Sequence, residues 1–238
     1  MDQFQPDAAI ATLKLLEHQG LEVEYPGAQT CCGQPMLNSG CVEDAVPAAE
    51  HFVKTFSDYD YVVCPSGSCT AMVRNHYAGL VDGDAAAQVC GRVRELCEFL
   101  VDVVRGERID AHFPHRIGLH QACHGLRELR LGHSSERVEA PYSKVRQLLQ
   151  QVRGLTIVDL ERPDECCGFG GTFAISEAGV SALMGSDRIS DHERAGAEFI
   201  VSGDTSCLIH LDGLLRRQQS GTRVLHVAQV LTAGSGAG

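Results

Sequence analysis

The chain has no Cys-x-x-Cys pair, no apolar run approaching the roughly 20 residues that span a bilayer, and no excess of basic residues. The first absence counts against zinc ribbons and thioredoxin-type redox loops. The second, together with an opening segment 1–6 that is neither basic nor apolar, predicts a cytoplasmic protein without a transmembrane span or signal segment. The third follows from 20 Lys+Arg against 31 Asp+Glu, a formal charge of −11 that repels nucleic-acid phosphates and anionic lipid. Also lacking are a phosphate-loop lysine, a full dinucleotide fingerprint, a Ser–His–Asp pattern and paired carboxylates. Gly168-Phe169-Gly170-Gly171 is glycine-rich, yet its better use is to point amide N–H groups at an anion.

What is present is enough apolar residue to fold and an unusual amount of sulfur. With 238 residues and 44% hydrophobic content, the chain can bury a core as one large domain or two smaller ones. Eleven cysteines, an odd number in a chain expected in a reducing compartment, argue for metal or redox chemistry over a disulfide framework. The decisive pattern is Cys31-Cys32-Gly33, which returns as Cys166-Cys167-Gly168. Adjacent thiolates strain to share one tetrahedral zinc but can reach different irons of a polynuclear cluster, while the glycine lets the backbone turn closely around it.

The repeat extends on both sides of these pairs. A helical pattern over 6–19, stopped by Gly20, leads to an expected strand over 21–25; a helical pattern over 143–153, stopped by Gly154, leads to an expected strand over 155–160. After each pair come further helices, over 43–56 and 176–195, and then short β-rich runs, 59–69 and 197–207, in which Cys69 aligns with Cys207 and Cys64 with Ser202. Strands alternating with helices predict an α/β fold of two pseudo-repeated units with mainly parallel sheets, the cysteines lying in loops at strand carboxyl ends. The units are expected at 1–109 and 110–238, with the boundary in the Gly-, Pro- and charge-rich stretch 105–115. One element is unmatched. The strand over 117–120 and Cys123 have first-half counterparts that would fall just before Met1, so the first unit is expected to lack its opening strand and a leading cysteine.

These alignments give two ligand sets. The second half offers Cys123, Cys166, Cys167 and Cys207, the number that suits a 4Fe-4S cluster. The first half offers Cys31, Cys32 and Cys69, one short, with Cys41 the better substitute for the fourth and Cys64 the expected strand-packing residue. Cys90 and Cys97 are expected to pack on one face of a single helix over 85–104. His124 and His210, near predicted ligands, suit hydrogen bonding to cluster sulfur, and His226 suits the core.

Residues 29–35, 65–69, 166–173 and 224–228 together resemble the cysteine-rich CCG-domain proteins, nearly end to end, and especially the iron–sulfur subunits of lactate or glycolate oxidation systems. The resemblance implies an electron-transfer subunit that works with other iron–sulfur and accessory subunits to oxidise L-lactate to pyruvate, with the same seven cysteines as ligands. The B subunit of heterodisulfide reductase is similar and implies an alternative, disulfide reduction at a 4Fe-4S cluster. A zinc-stabilised interaction module is the reading from outside redox chemistry. Two departures stand out: the family's leading cysteine is absent before Asp2, and the Cys-x-x-Cys ending of the reductase motif is replaced by Cys69-Thr70-Ala71-Met72 and Cys207-Leu208-Ile209-His210.

Overall fold

The computed structural model describes residues 3–105 and 109–234. The first half runs α1 (Pro6–His18), α2 (Gln34–Asn38), α3 (Val42–Phe56), β1 (Val62–Cys64), α4 (Gly67–His76), α5 (Asp84–Arg92), β2 (Val93–Glu95) and α6 (Leu96–Glu98), the last continuing as a π-helical turn over Phe99–Val103. The second half runs β3 (Arg116–Leu119), α7 (Lys144–Leu149), β4 (Thr156–Val158), α8 (Phe173–Ser176), α9 (Ala178–Arg194), β5 (Phe199–Ser202), α10 (Thr205–Gln218), β6 (Arg223–His226) and α11 (Val227–Leu231). All paired strands are parallel, β1 with β2 in one sheet and β4-β3-β5-β6 in the other, which makes this an α/β fold.

The repeat is visible in the register. Cys64 lies opposite Glu95, and Ser202, the counterpart of Cys64, lies opposite His226. Glu95 and His226 then cap α6 and α11 in the same way: each side chain accepts backbone N–H groups of the first turn, while Glu98 or Gln229 reaches back to the cap residue's own N–H.

Two sequence-based expectations need correction. Residues 21–25 form no strand. Their counterpart β4 bonds to β3 alone, and no described first-half strand matches β3, so the stretch has no ladder to join, although Leu21 and Val23 still pack on the core. The single helix expected over 85–104 is also interrupted. Val93, Arg94 and Glu95 leave the helix to pair with β1, which puts Cys90 and Cys97 on separate elements in separate cores.

The halves are joined by exchange of helices. The opening helix of each packs on the closing helix of the other, α1 on α11 and α7 on α6. The main core therefore contains Leu15, Leu96 and Leu100 beside Ile117, Leu148, Leu149 and Val227. Burial of each such side chain is worth about 1.5–3 kcal/mol, so much of each half's stability lies in the other. Of the stretch 105–115 expected to divide them, 106–108 lie outside the described residues.

The four-stranded sheet also positions the site. From β3 the chain crosses to β4 on one side, and from β5 to β6 on the other. The loops beyond the carboxyl ends of β3 and β5 consequently part, leaving a crevice of the kind that holds ligands in open parallel sheets.

Candidate metal centre

The segments around that crevice bring four thiols together. Cys123 follows the loop beyond β3, Cys166 and Cys167 lie in the loop between β4 and α8, and Cys207 is in the first turn of α10. The side chains contact in sequence, Cys123 with Cys166, Cys166 with Cys167, and Cys167 with Cys207. Hydrogen bonds from Cys123 and then Cys167 hold the Cys166 thiol down, to about 2, while the same contacts push Cys123 and Cys167 up. The Gly168 amide donates to Cys166 Sγ at 3.3 Å, made possible by a left-handed glycine at φ +85°. All eleven cysteines are free thiols, so these close sulfurs are available as ligands.

Buried polar groups surround this quartet. A ring nitrogen of His120 and the Sγ atoms of Cys167 and Cys207 lie within 4.8 Å of one another. Burial, followed by the charge of Arg188, lowers the His120 imidazole to about 3. Soft thiolates in this number suit iron–sulfur or zinc, and the absence of disulfides fits either.

The first half gathers a second quartet with one unexpected member. Cys31 contacts Cys32, Cys32 contacts Cys69, and Cys69 contacts Cys64 at the end of β1. Cys64, not Cys41, therefore lies beside the predicted set; Cys41 is exposed at the N-cap of α3. The reason is local: Ser66 caps α4 by accepting the Cys69 N–H, and the tight turn folds Cys69 back over the end of β1. The hydrogen bond from Cys32 lowers Cys31 to about 6. Tyr77 fixes the loop by donating to Cys32 O at 2.9 Å.

The two quartets meet across a narrow seam. Asp204, N-cap of α10, accepts Ser206 N–H at 3.1 Å and, with its other oxygen, Ser68 N–H of α4 at 2.7 Å. One carboxylate thus serves the N-termini of both cysteine-bearing helices, where negative charge is favoured. Gly67 faces Gly125 so closely that a Cβ on Gly67 would lie 3.2 Å from the Gly125 nitrogen. Gln34, next to the first Cys-Cys-Gly, contacts His124 Nε2 at 3.2 Å, next to Cys123. His124 therefore links the two motifs.

The other singled-out residues take quieter places. His210 Nε2 lies 3.4 Å from Ser181 O and its ring packs by Phe169, bracing the second Cys-Cys-Gly loop. His226 is buried with both nitrogens engaged, Nε2 near Pro65 O at 3.1 Å and Nδ1 accepting Ala228 N–H. Cys90 donates to Val73 O and Cys97 is fully enclosed. Residue reasoning missed His120, Arg188 and the Glu95/His226 pair. The last had a signal, the Glu95-x-x-Glu98 and His226-x-x-Gln229 spacing of a capping box at equivalent places in the repeat.

The sequence model of the cysteine-rich domain (CCG) family matches residues 1–74 and 117–212, taking in both cysteine quartets. This chain belongs to the CCG cysteine-rich domain family. It is similar to proteins named lactate utilization protein A: 38% identical over 238 residues to that of Geobacillus sp. strain WCH70, covering 98% of this chain and 95% of the relative. The Bacillus subtilis strain 168 protein is likewise 38% identical over 237 residues, with the same coverage. That of Geobacillus thermodenitrificans strain NG80-2 is 39% identical over 236 residues, covering 97% of this chain and 94% of the relative. Among the described residues no helix is long and apolar enough to cross a membrane.

Proposed function

We propose that this CCG-family protein is an iron–sulfur electron-transfer subunit of a lactate-oxidising system, with a 4Fe-4S cluster held by Cys123, Cys166, Cys167 and Cys207. The observation that carries this reading is the convergence of those four thiols, contributed by three separate segments at a sheet switch point. When bound, such a cluster supplies one-electron transfer. The chain's own part is to hold the irons through thiolates, to shield the site, with Cys167 only 2% exposed, and to offer the Gly168 N–H to sulfur. The choice of lactate is supported by the names of the relatives, and its oxidation from L-lactate to pyruvate is what the family resemblance implies; glycolate is the neighbouring substrate class. The reading includes partners, other iron–sulfur and accessory subunits that handle the two-electron chemistry, a cytoplasmic location, and two units at 1–109 and 110–238. Cys31, Cys32 and Cys69, with Cys64 beside them, are the ligand set for a second cluster.

The test is anaerobic purification with counts of iron, labile sulfide and zinc, followed by visible spectra. About four irons and four sulfides per occupied site, with bands that bleach when L-lactate is added in the presence of the partner subunits, is the expected result. Stoichiometric zinc without sulfide would leave only an interaction module. Bleaching by a disulfide's reduced thiol pair, and not by lactate or glycolate, would favour heterodisulfide-type chemistry.

A further inference from the structure

His120, the residue after β3, is almost wholly enclosed, 1% exposed, and one of its nitrogens is already committed. Arg188 Nε, on α9, donates to His120 Nδ1 at 3.2 Å. Arg188 is itself 0% exposed, and its Nη1 is fixed by Asp191 Oδ2 at 3.1 Å and by Arg162 O. This arrangement settles the hydrogen positions on the ring. An arginine has only donors and keeps its proton in proteins, so Nδ1 must present a lone pair. A ring that accepts at Nδ1 is neutral and carries its one hydrogen at Nε2. Nε2 is buried and has no partner among the described residues, while the ring lies within 4.8 Å of the Cys167 and Cys207 sulfurs.

A ligand to a metal offers a lone pair, and this imidazole has none to spare. We propose that His120 is a positioning residue that donates Nε2–H to sulfur at the second-half site, with the Asp191–Arg188 pair holding it in the donating tautomer. It would not be a ligand. This rests on the iron–sulfur reading above. Reduction places more negative charge on the sulfurs, so a fixed N–H donor in a dry site stabilises the reduced form more than the oxidised one and raises the reduction potential.

The experiment compares the parent protein, His120→Leu and His120→Gln, reconstituted anaerobically, by iron and sulfide content, redox titration and pulsed EPR with 15N-labelled histidine. Leucine removes the donor; glutamine keeps an N–H within reach. Expected are unchanged iron in both variants, an oxidised-to-reduced ratio at fixed potential raised at least tenfold in His120→Leu, equivalent to a one-electron shift of about 59 mV, and a shift under threefold in His120→Gln. The parent should show a weakly coupled histidine nitrogen that His120→Gln lacks. An unshifted potential in His120→Leu overturns the proposal, and so does a strongly coupled, directly bound nitrogen. If His120→Leu does not fold, the labelled comparison of parent and His120→Gln decides alone, and identical spectra overturn it. Iron-free, sulfide-free parent protein sinks the iron–sulfur reading and this inference with it, whereas iron with no His120 effect sinks only the inference.

Discussion

Around the second-half thiols, the protein has built a dry polar cage: His120, Arg188 and Asp191 are all within 1% of full burial. Around the first-half thiols the buried polar groups are hydroxyls instead, those of Ser66, Thr70 and Tyr77. Cys31 is exposed, the fourth sulfur comes from the end of β1, and the neighbouring extended stretch 21–25 has no strand to pair with. The two sites share the paired cysteines, the glycine after them and the helix-borne cysteine, all set by one repeated chain path. They differ at the element that precedes this repeat, because β3 delivers both Cys123 and His120 to the second site. The lesson is that the repeated motif fixes three sulfurs, and the strand beside it decides what completes them.

The sharpest way to break that comparison is to remove a sulfur from each side. Cys166→Ser or Cys167→Ser should strip most of the iron from the second site, since an alcohol is a far poorer ligand than a thiolate at neutral pH. Cys64→Ser should lower whatever iron the first site holds, and Cys41→Ser should leave it unchanged. Iron counts on the four purified variants check both statements. Full iron in both second-site variants would remove the quartet from the ligand set.

The paired glycines give the next largest contrast. Gly33 and Gly168 occupy the same left-handed conformation, φ +83° and +85°. A Cβ on Gly33 would sit at ordinary contact, 3.4 Å from Ala45 O, whereas on Gly168 it would meet Ser181 O at 2.6 Å and Met184 Cβ at 2.7 Å. Gly33→Ala should therefore cost only the conformational strain, about 1–2 kcal/mol, and Gly168→Ala that plus overlap, about 3 kcal/mol or more. Urea unfolding of the two metal-free variants measures the difference. Equal costs would mean that the second loop can move away from α9.

How far the sequence alone carries is clear from these same residues. The parallel α/β plan, the order of helices and the Cys-Cys-Gly repeat were legible because each rests on local spacing or turn chemistry. The strand at 21–25 was misread because its residues suit a strand, and whether they form one depends on a neighbour far away in the chain. Cys64 reads as a packing residue because it ends an apolar run and cysteine is commonly buried; only the fold of the Ser66 cap brings it onto Cys69. His120 and Arg188, 68 residues apart, had no local signature at all.

Glu95 gives a subtler contrast, since it stands where the second half has His226. Burial lifts its carboxyl from 4.5 to about 8, with Glu98 and Asp204 adding repulsion against the backbone N–H groups that favour its charge. Oε1 has no partner among the described residues, and Glu95 lines a cavity of about 30 Å³, room enough for water. The folded-state value lies above the unfolded one, so the folded protein binds the extra proton. Glu95's contribution is fully present below pH 4.5 and is lost as the pH rises through about 8. Stability should fall across that window by up to about 1.4 kcal/mol per pH unit from this group. Glu95→Gln keeps an oxygen to cap α6 and should flatten the slope; an unchanged pH profile would show that Glu95 is not held neutral.

The smallest effects should come from the two cysteines outside both quartets. Cys90 packs in the first-half core and donates to Val73 O at 3.2 Å, while Cys97 lies in the core shared by both halves and is completely enclosed. Burial pushes both thiols up, which keeps them protonated and removes them from competition for metal. Each change to Ala should cost about 1 kcal/mol, the loss of one small buried group, with Cys97→Ala the costlier because its surroundings leave no opening through which the cavity can collapse. Iron content should be unaltered in both, and native protein should alkylate at Cys41 long before Cys97. Iron loss in either variant with folding intact would move that cysteine into the ligand set and erase the division between sulfur that packs and sulfur that binds.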